Sequence, residues 1–228
     1  MIADNKKFFT GFGLLIGFVV FIVIIFLPIF HGKNGLEYMD SLYNSISKGS
    51  ANYIPELEEK AGDFQGKHIS VVLKMGTKSQ AEQTAQLFKM SGSMTSIDGE
   101  TITVDGDFGQ ILKTCLTDSE LMYNNKGEEI TAKYHLEGRQ VLFDWYRAFR
   151  ALDKALSDQN RFREAEMVQL VAEKAIECAY NYYNIEPRQI SDSMGIVIFS
   201  LLFYVVYTVW YGFSFMFMFE GWGMRLGH

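Results

Sequence analysis

The residues able to do chemistry in this chain of 228 residues are few and scattered. Its four histidines, His31, His68, His135 and His228, and its two cysteines, Cys115 and Cys178, show no ligand spacing. Neither a C-x-x-C zinc pattern nor a C-x-x-C-H haem attachment is present. Asp98, Glu100, Asp105 and Asp107 cluster as calcium ligands can, but the ligand order of an EF-hand loop, closing on a glutamate, is missing. Turn and cap roles account for them. No glycine-rich phosphate loop and no G-x-S-x-G elbow can be traced, and His68 and His135 lie at strand ends without an orienting third group. The sequence therefore predicts no catalytic residue, no metal, no cofactor and no enzyme. One cationic group remains, Arg139, Arg147 and Arg150 on a single predicted helix, which could contact an anion. The competing reading is a solvated face paired with nearby acids.

The elements that would position these residues are dominated by two apolar runs, Phe8 to Phe30 and Met194 to Phe219, each long enough to cross a bilayer as a helix. The first has a basic start, Lys6-Lys7, but it is longer than a signal peptide's apolar region and lacks a small-x-small cleavage site, so it reads as retained. Neither run carries a charge in its central part, which removes the proton relay or ion site that transport needs. A b-type haem would need axial ligands within the spans, and only His31, at the edge of the first, comes near. Lys6 and Lys7 before the first span and Arg225 after the second, set against Lys33 and Arg188 on the inner flanks, place both termini in the cytoplasm. The expected location is the bacterial inner membrane with the main domain periplasmic or extracellular. There Cys115 and Cys178 could be oxidised, but both fall on or beside apolar helix faces and read as unpaired.

On a helical wheel the second span has two unlike sides. Ser193, Ser200, Tyr204, Tyr207, Tyr211 and Ser214 share one, and Ile198, Leu202, Val205, Val209, Phe213 and Met216 occupy the other. Hydroxyl groups strung along a span are usually satisfied across a helix interface. In the first span Thr10, Gly13 and Gly17 form a small-residue strip with a G-x-x-x-G pattern. Antiparallel pairing would set it beside Tyr211, Gly212 and Ser214. The stripe of Ser200, Tyr204, Tyr207, Tyr211 and Ser214 is longer than Gly13 and Gly17 can cover, so a second integral membrane partner is expected, with a homo-oligomer possible.

Between the spans the chain is acidic. Removing Lys6, Lys7 and Arg225 from 21 bases and Asp4 and Glu220 from 27 acids leaves 18 against 25, which argues against nucleic acid and anionic membrane surfaces as partners. After a tail over 1–7 and a span over 8–30, residues 31–66 read as a juxtamembrane amphipathic helix, Asn34 to Ser47, and a connector. Residues 67–136 alternate as a strand at Ile69, Val71 and Leu73, a helix over Ser79 to Met90, and a hairpin with Asp98-Gly99 as its two-residue type I′ turn. A helix capped by Asp107 and a last strand with Ile130, Ala132 and Tyr134 follow. That order, βαββαβ, predicts a ferredoxin-like α+β domain. Residues 137–186 read as a helical hairpin, with Leu142, Trp145, Tyr146, Phe149, Leu152 and Leu156 facing Val168, Val171, Ala172, Ala175 and Ala179. Asp153 intrudes on the apolar side. The second span covers 193–219, capped by Ser191 or Asp192, and a tail covers 220–228.

The whole predicts a two-pass α+β membrane protein acting as a non-catalytic accessory or assembly subunit of a larger complex, its outer domain docking on partner subunits. The alternative is an extracytoplasmic sensor or small-ligand-binding module that signals through a membrane partner.

Overall fold

The structure, a computed structural model, describes residues 2–224. Arg225, one of the charges that sets the expected orientation, lies outside the described residues, as does His228. The chain divides into two compact units, one built from the two chain ends through Gly49 and from Pro187, the other from Ser50–Glu186.

The first unit contains α1 (Asn5–Ile25), α2 (Gly35–Ser50) and α10 (Ile190–Gly221). Both α1 and α10 are long and apolar enough to cross a membrane, and their most apolar windows are 6% and 0% buried. A core helix of a water-soluble protein would be mostly covered, so these two are not core helices. Asp4 caps α1 by accepting from the Lys7 N–H at 3.1 Å. α10 starts after Gln189 with no side-chain cap, and Asp192 lies in its first turn. α2 opens on a reciprocal capping box, in which Asn34 Oδ1 accepts from the Glu37 N–H and Glu37 Oε2 from the Asn34 N–H, both at 2.9 Å.

The second unit holds a three-stranded sheet of β1 (His68–Lys74), β2 (Met94–Asp98) and β3 (Thr101–Asp107) in the order β1-β3-β2, antiparallel throughout. Ile69, Val71, Leu73, Ile102 and Val104 are buried against the helices, while the other face carries His68, Ser70, Val72 and Lys74 of β1 to solvent. The helices are α3 (Ile54–Gly62), α4 (Lys78–Met90), α5 (Phe108–Tyr123), α6 (Gly127–Tyr134), α7 (Gly138–Asp158), α8 (Phe162–Val171) and α9 (Glu177–Tyr182).

The residues expected to form a fourth strand are α6, so the ferredoxin-like arrangement is not completed. Ile130 and Tyr134, 0% and 1% exposed, stand four residues apart, the spacing of one helical face, and the intervening Ala132 is exposed. Glu128 and Glu129 occupy the positive first turn, and His135 ends the helix in the left-handed region. The free edge of β1 is met by side chains instead. Gln159 Nε2 donates to the Ser70 carbonyl at 3.0 Å and Arg161 Nη1 to that of His68 at 2.9 Å, which blunts an edge that would otherwise invite another strand.

The hairpin turn also differs from expectation. Asp98 pairs with Thr101, so the two turn residues are Gly99 and Glu100, and only Gly99 has positive φ (+58°). That is the pattern of a type II′ turn rather than type I′.

The helical hairpin has the expected seam, with Leu142, Trp145, Phe149, Leu152 and Leu156 on α7 buried beside Val168, Val171, Ala172, Ala175 and Ala179. Between α8 and α9 the chain makes one π-helical segment, Ala172–Ile176, which adds Ile176 to that seam. Asp153 is only half-buried; the fully buried acid of α7 is Asp144.

Candidate functional site

α1 and α10 run antiparallel, with Phe8 beside Gly221 and Phe21 beside Phe203. On α1 the seam is Lys7, Gly11, Leu14, Phe18 and Phe21, spaced four, three, four and three residues. On α10 it is Phe203, Tyr207, Trp210, Ser214, Met218 and Gly221. Spacing of this kind keeps one side of a helix on a neighbour. Lys7 Nζ and Glu220 Oε2 pair at 2.9 Å at one end of the seam. Trp210 Nε1 donates to the Leu14 carbonyl at 3.0 Å. At Gly11 a Cβ would stand 2.6 Å from the Ser214 carbonyl and 2.7 Å from the Met218 nitrogen. Only glycine lets the two backbones come this close.

The stripe expected to face a partner is divided by this seam. Ser214 is fully buried within it and donates to the Trp210 carbonyl at 2.8 Å. Tyr207 lies against Phe18. Ser200 donates to the Val197 carbonyl at 2.8 Å and shares a 2.7 Å hydrogen bond with the Tyr43 hydroxyl of α2. Gly17 meets the Trp210 ring, but Gly13 has nothing within 4 Å of where its Cβ would be. The close contact belongs to Gly11 because Gly13 lies about 200° around the helix from it.

Tyr204 and Tyr211 remain outside the seam, 59% and 46% exposed. At 100° per residue they stand on one flank, roughly 60–80° from the seam's centre line. Among the described residues, no hydrogen bond reaches the hydroxyls of Tyr204, Tyr207 or Tyr211.

In the second unit the polar centre is Asp118, fully buried on α5. Its Oδ1 accepts from Lys133 Nζ at 2.7 Å; its Oδ2 accepts from the Tyr134 hydroxyl at 2.5 Å and from Trp145 Nε1 at 2.9 Å. Three elements, α5, α6 and α7, are tied to one carboxylate. Burial and the adjoining carboxylate hold the Tyr134 phenol well above its ordinary range, so its proton stays to donate. Burial likewise pushes up the Cys115 thiol one turn before Asp118. Cys115 and Cys178 are both unpaired.

Asp144 is fully buried too, yet among the described residues it has one partner, Gln140 Nε2 at 3.1 Å on Oδ1, and none on Oδ2. Burial raises its carboxyl to about 6, opposed by the Gln140 hydrogen bond. Neither buried acid was singled out from the sequence. Their signal is position, since Asp118 falls among Cys115, Leu116 and Met122, and Asp144 among Val141, Leu142 and Ala148.

The arginine strip is split. Arg139 stacks over the rings of Tyr180 and Tyr183, with its guanidinium carbon 5.5 Å and 5.8 Å from their centres. Arg147 and Arg150 instead line an open pocket with Lys74. Of the hairpin acids, Asp107 caps α5 through the Gln110 N–H at 3.1 Å, and Asp105 Oδ2 lies 3.3 Å from His68 Nε2. His135 is the left-handed cap of α6. Among the described residues no three of His, Cys, Asp and Glu come together as a metal-ligand group. Compared with known proteins, the chain matches no family model, no curated protein and no solved structure.

Proposed function

We propose that the chain is a non-catalytic accessory or assembly subunit of a larger integral membrane complex, joined to its partner through the Tyr204–Tyr211 flank of α10. The observation that carries this reading is the pair of exposed tyrosines whose hydroxyls have no partner among the described residues. With the Lys7–Glu220 pair at one face of the hydrocarbon, Tyr211, Tyr207 and Tyr204 lie roughly 14, 20 and 24 Å into a layer about 30 Å thick. At the depth of Tyr211 a hydroxyl lies far from water, and a hydrogen bond to another polypeptide would satisfy it at about 1 kcal/mol or less, while Tyr204 stands nearer the opposite face on the same flank. The seam between α1 and α10 supports a first span that stays with the mature chain. In this reading both termini are cytoplasmic, and the Ser50–Glu186 unit lies periplasmic or extracellular, docking on the same partners.

The test is Tyr204→Phe with Tyr211→Phe, which removes two oxygens and little else. The variant is expected to leave its complex on native electrophoresis after mild extraction while α1 and α10 stay packed. Unchanged co-migration would count against the interface. A second reading, small-ligand binding by the Ser50–Glu186 unit, is favoured by the cationic pocket beside Arg147.

A further inference from the structure

β1 ends at Lys74, and the chain turns at Gly76 into α4. Beside this turn Lys74, Met75, Tyr146, Arg147, Arg150 and Ala151 line an open pocket of about 340 Å³. Three of the six are cations and none is an acid. Other cations of the same unit have partners, carboxylates for Lys133, Lys60, Lys126 and Arg161 and aromatic rings for Lys67, Arg139 and Lys174. The side chains of Lys74, Arg147 and Arg150 have no hydrogen bond or ion pair among the described residues. Like charges gathered without a counter-charge repel one another, and an anion placed among them removes that cost.

The local fold maintains the arrangement. Arg147 and Arg150 stand three residues apart on α7 and so share a side of the helix. The turn at Gly76 comes up beside them, the position of a Cβ there being 3.4 Å from Arg147 Nη2 and 3.1 Å from Gln80 Oε1. That oxygen accepts from the Gly76 N–H at 3.0 Å and fixes the turn. Met75, Ala151 and the half-buried Tyr146 supply an apolar wall.

We propose that this pocket binds the phosphate group of a phosphate monoester whose uncharged remainder lies on Met75, Tyr146 and Ala151. Two guanidinium forks suit phosphate oxygens bidentately, with the lysine as a point charge beside them. Three positive charges answer a monoester's charge of nearly −2 better than that of a lone carboxylate. The pocket is of small-molecule size, larger than a bare phosphate fills. A soluble ester and a lipid headgroup share this chemistry. The inference goes beyond the assembly role and does not depend on it.

The experiment uses the full-length protein in a neutral detergent at 0.15 M NaCl, melted against increasing glycerol 3-phosphate and, separately, water-soluble dihexanoyl phosphatidic acid. A saturable rise in melting temperature with at least one probe is expected. A response to glycerol 3-phosphate assigns a soluble ester, and a response to the lipid alone assigns a headgroup. Arg147→Gln with Arg150→Gln should raise the half-saturating concentration at least tenfold, with Arg139→Gln unchanged. If the double variant melts early without ligand, Lys74→Gln makes the same comparison. No saturable shift with either probe, or an equal shift in the pocket variants, would overturn the proposal.

Discussion

The indole N–H of Trp210 reaches the main-chain carbonyl of Leu14 at 3.0 Å, joining residues 196 positions apart in the chain. Here the second donor to a mid-helix carbonyl comes from the neighbouring helix, and the close approach of the two helices rests on Gly11 and Gly221, where a Cβ would meet backbone atoms of the other helix. Gly11→Leu should therefore separate the two helices, whereas Gly13→Leu should not. With Cys115 and Cys178 removed, Phe21→Cys with Phe203→Cys, a pair that faces across the seam, is expected to cross-link on oxidation in membranes. The link should survive Gly13→Leu and fall severalfold with Gly11→Leu.

Asp118 sets the second prediction. Asp118→Asn keeps the shape but leaves Lys133 without its counter-charge and weakens two buried hydrogen bonds. A broken buried pair costs about 3–5 kcal/mol, and the 27% exposure of the lysine side chain lowers this toward about 2–3. Adding Lys133→Met should recover part of the loss, because the unpaired charge goes with it. Urea unfolding of the single and double variants measures the coupling, and strict additivity would contradict a direct pair.

Asp144 gives a pH dependence of determined sign. Its carboxyl is raised to about 6 in the folded protein from an ordinary value near 3.8, so the native state holds a proton that the unfolded chain has released between those values. The associated stability is fully present below the unfolded pKa and is lost as pH rises through about 6. Asp144→Asn should raise stability at pH 7.5 by roughly 1–3 kcal/mol and flatten the profile between pH 4 and 7. Thermal unfolding across that range checks both.

What the residues announced and what they concealed differ for physical reasons. The two apolar spans and the α7 seam rest on long periodic patterns, which few alternative structures satisfy. The last strand failed because Ile130 and Tyr134, four residues apart, fit alternation and helical spacing equally over so short a segment. Gly11 was passed over in favour of the G-x-x-x-G of Gly13 and Gly17, although the four-three spacing of Lys7, Gly11, Leu14, Phe18 and Phe21 marks the seam better. Asp118 and Asp144 stayed hidden because an acid on an apolar face reads as an interruption until its donors arrive from elsewhere, here Lys133 and Tyr134 of α6 and Trp145 of α7. Lys74 joins Arg147 and Arg150 only through the packing of β1 on α7, a juxtaposition that no local pattern encodes.

The central claim, that Tyr204 and Tyr211 meet another membrane protein, is tested most directly by extracting the chain from its own membranes in mild detergent. Native electrophoresis with mass spectrometry should then find it co-migrating in fixed stoichiometry with other integral proteins. Migration as a lone monomer or as a dimer of itself would contradict the account.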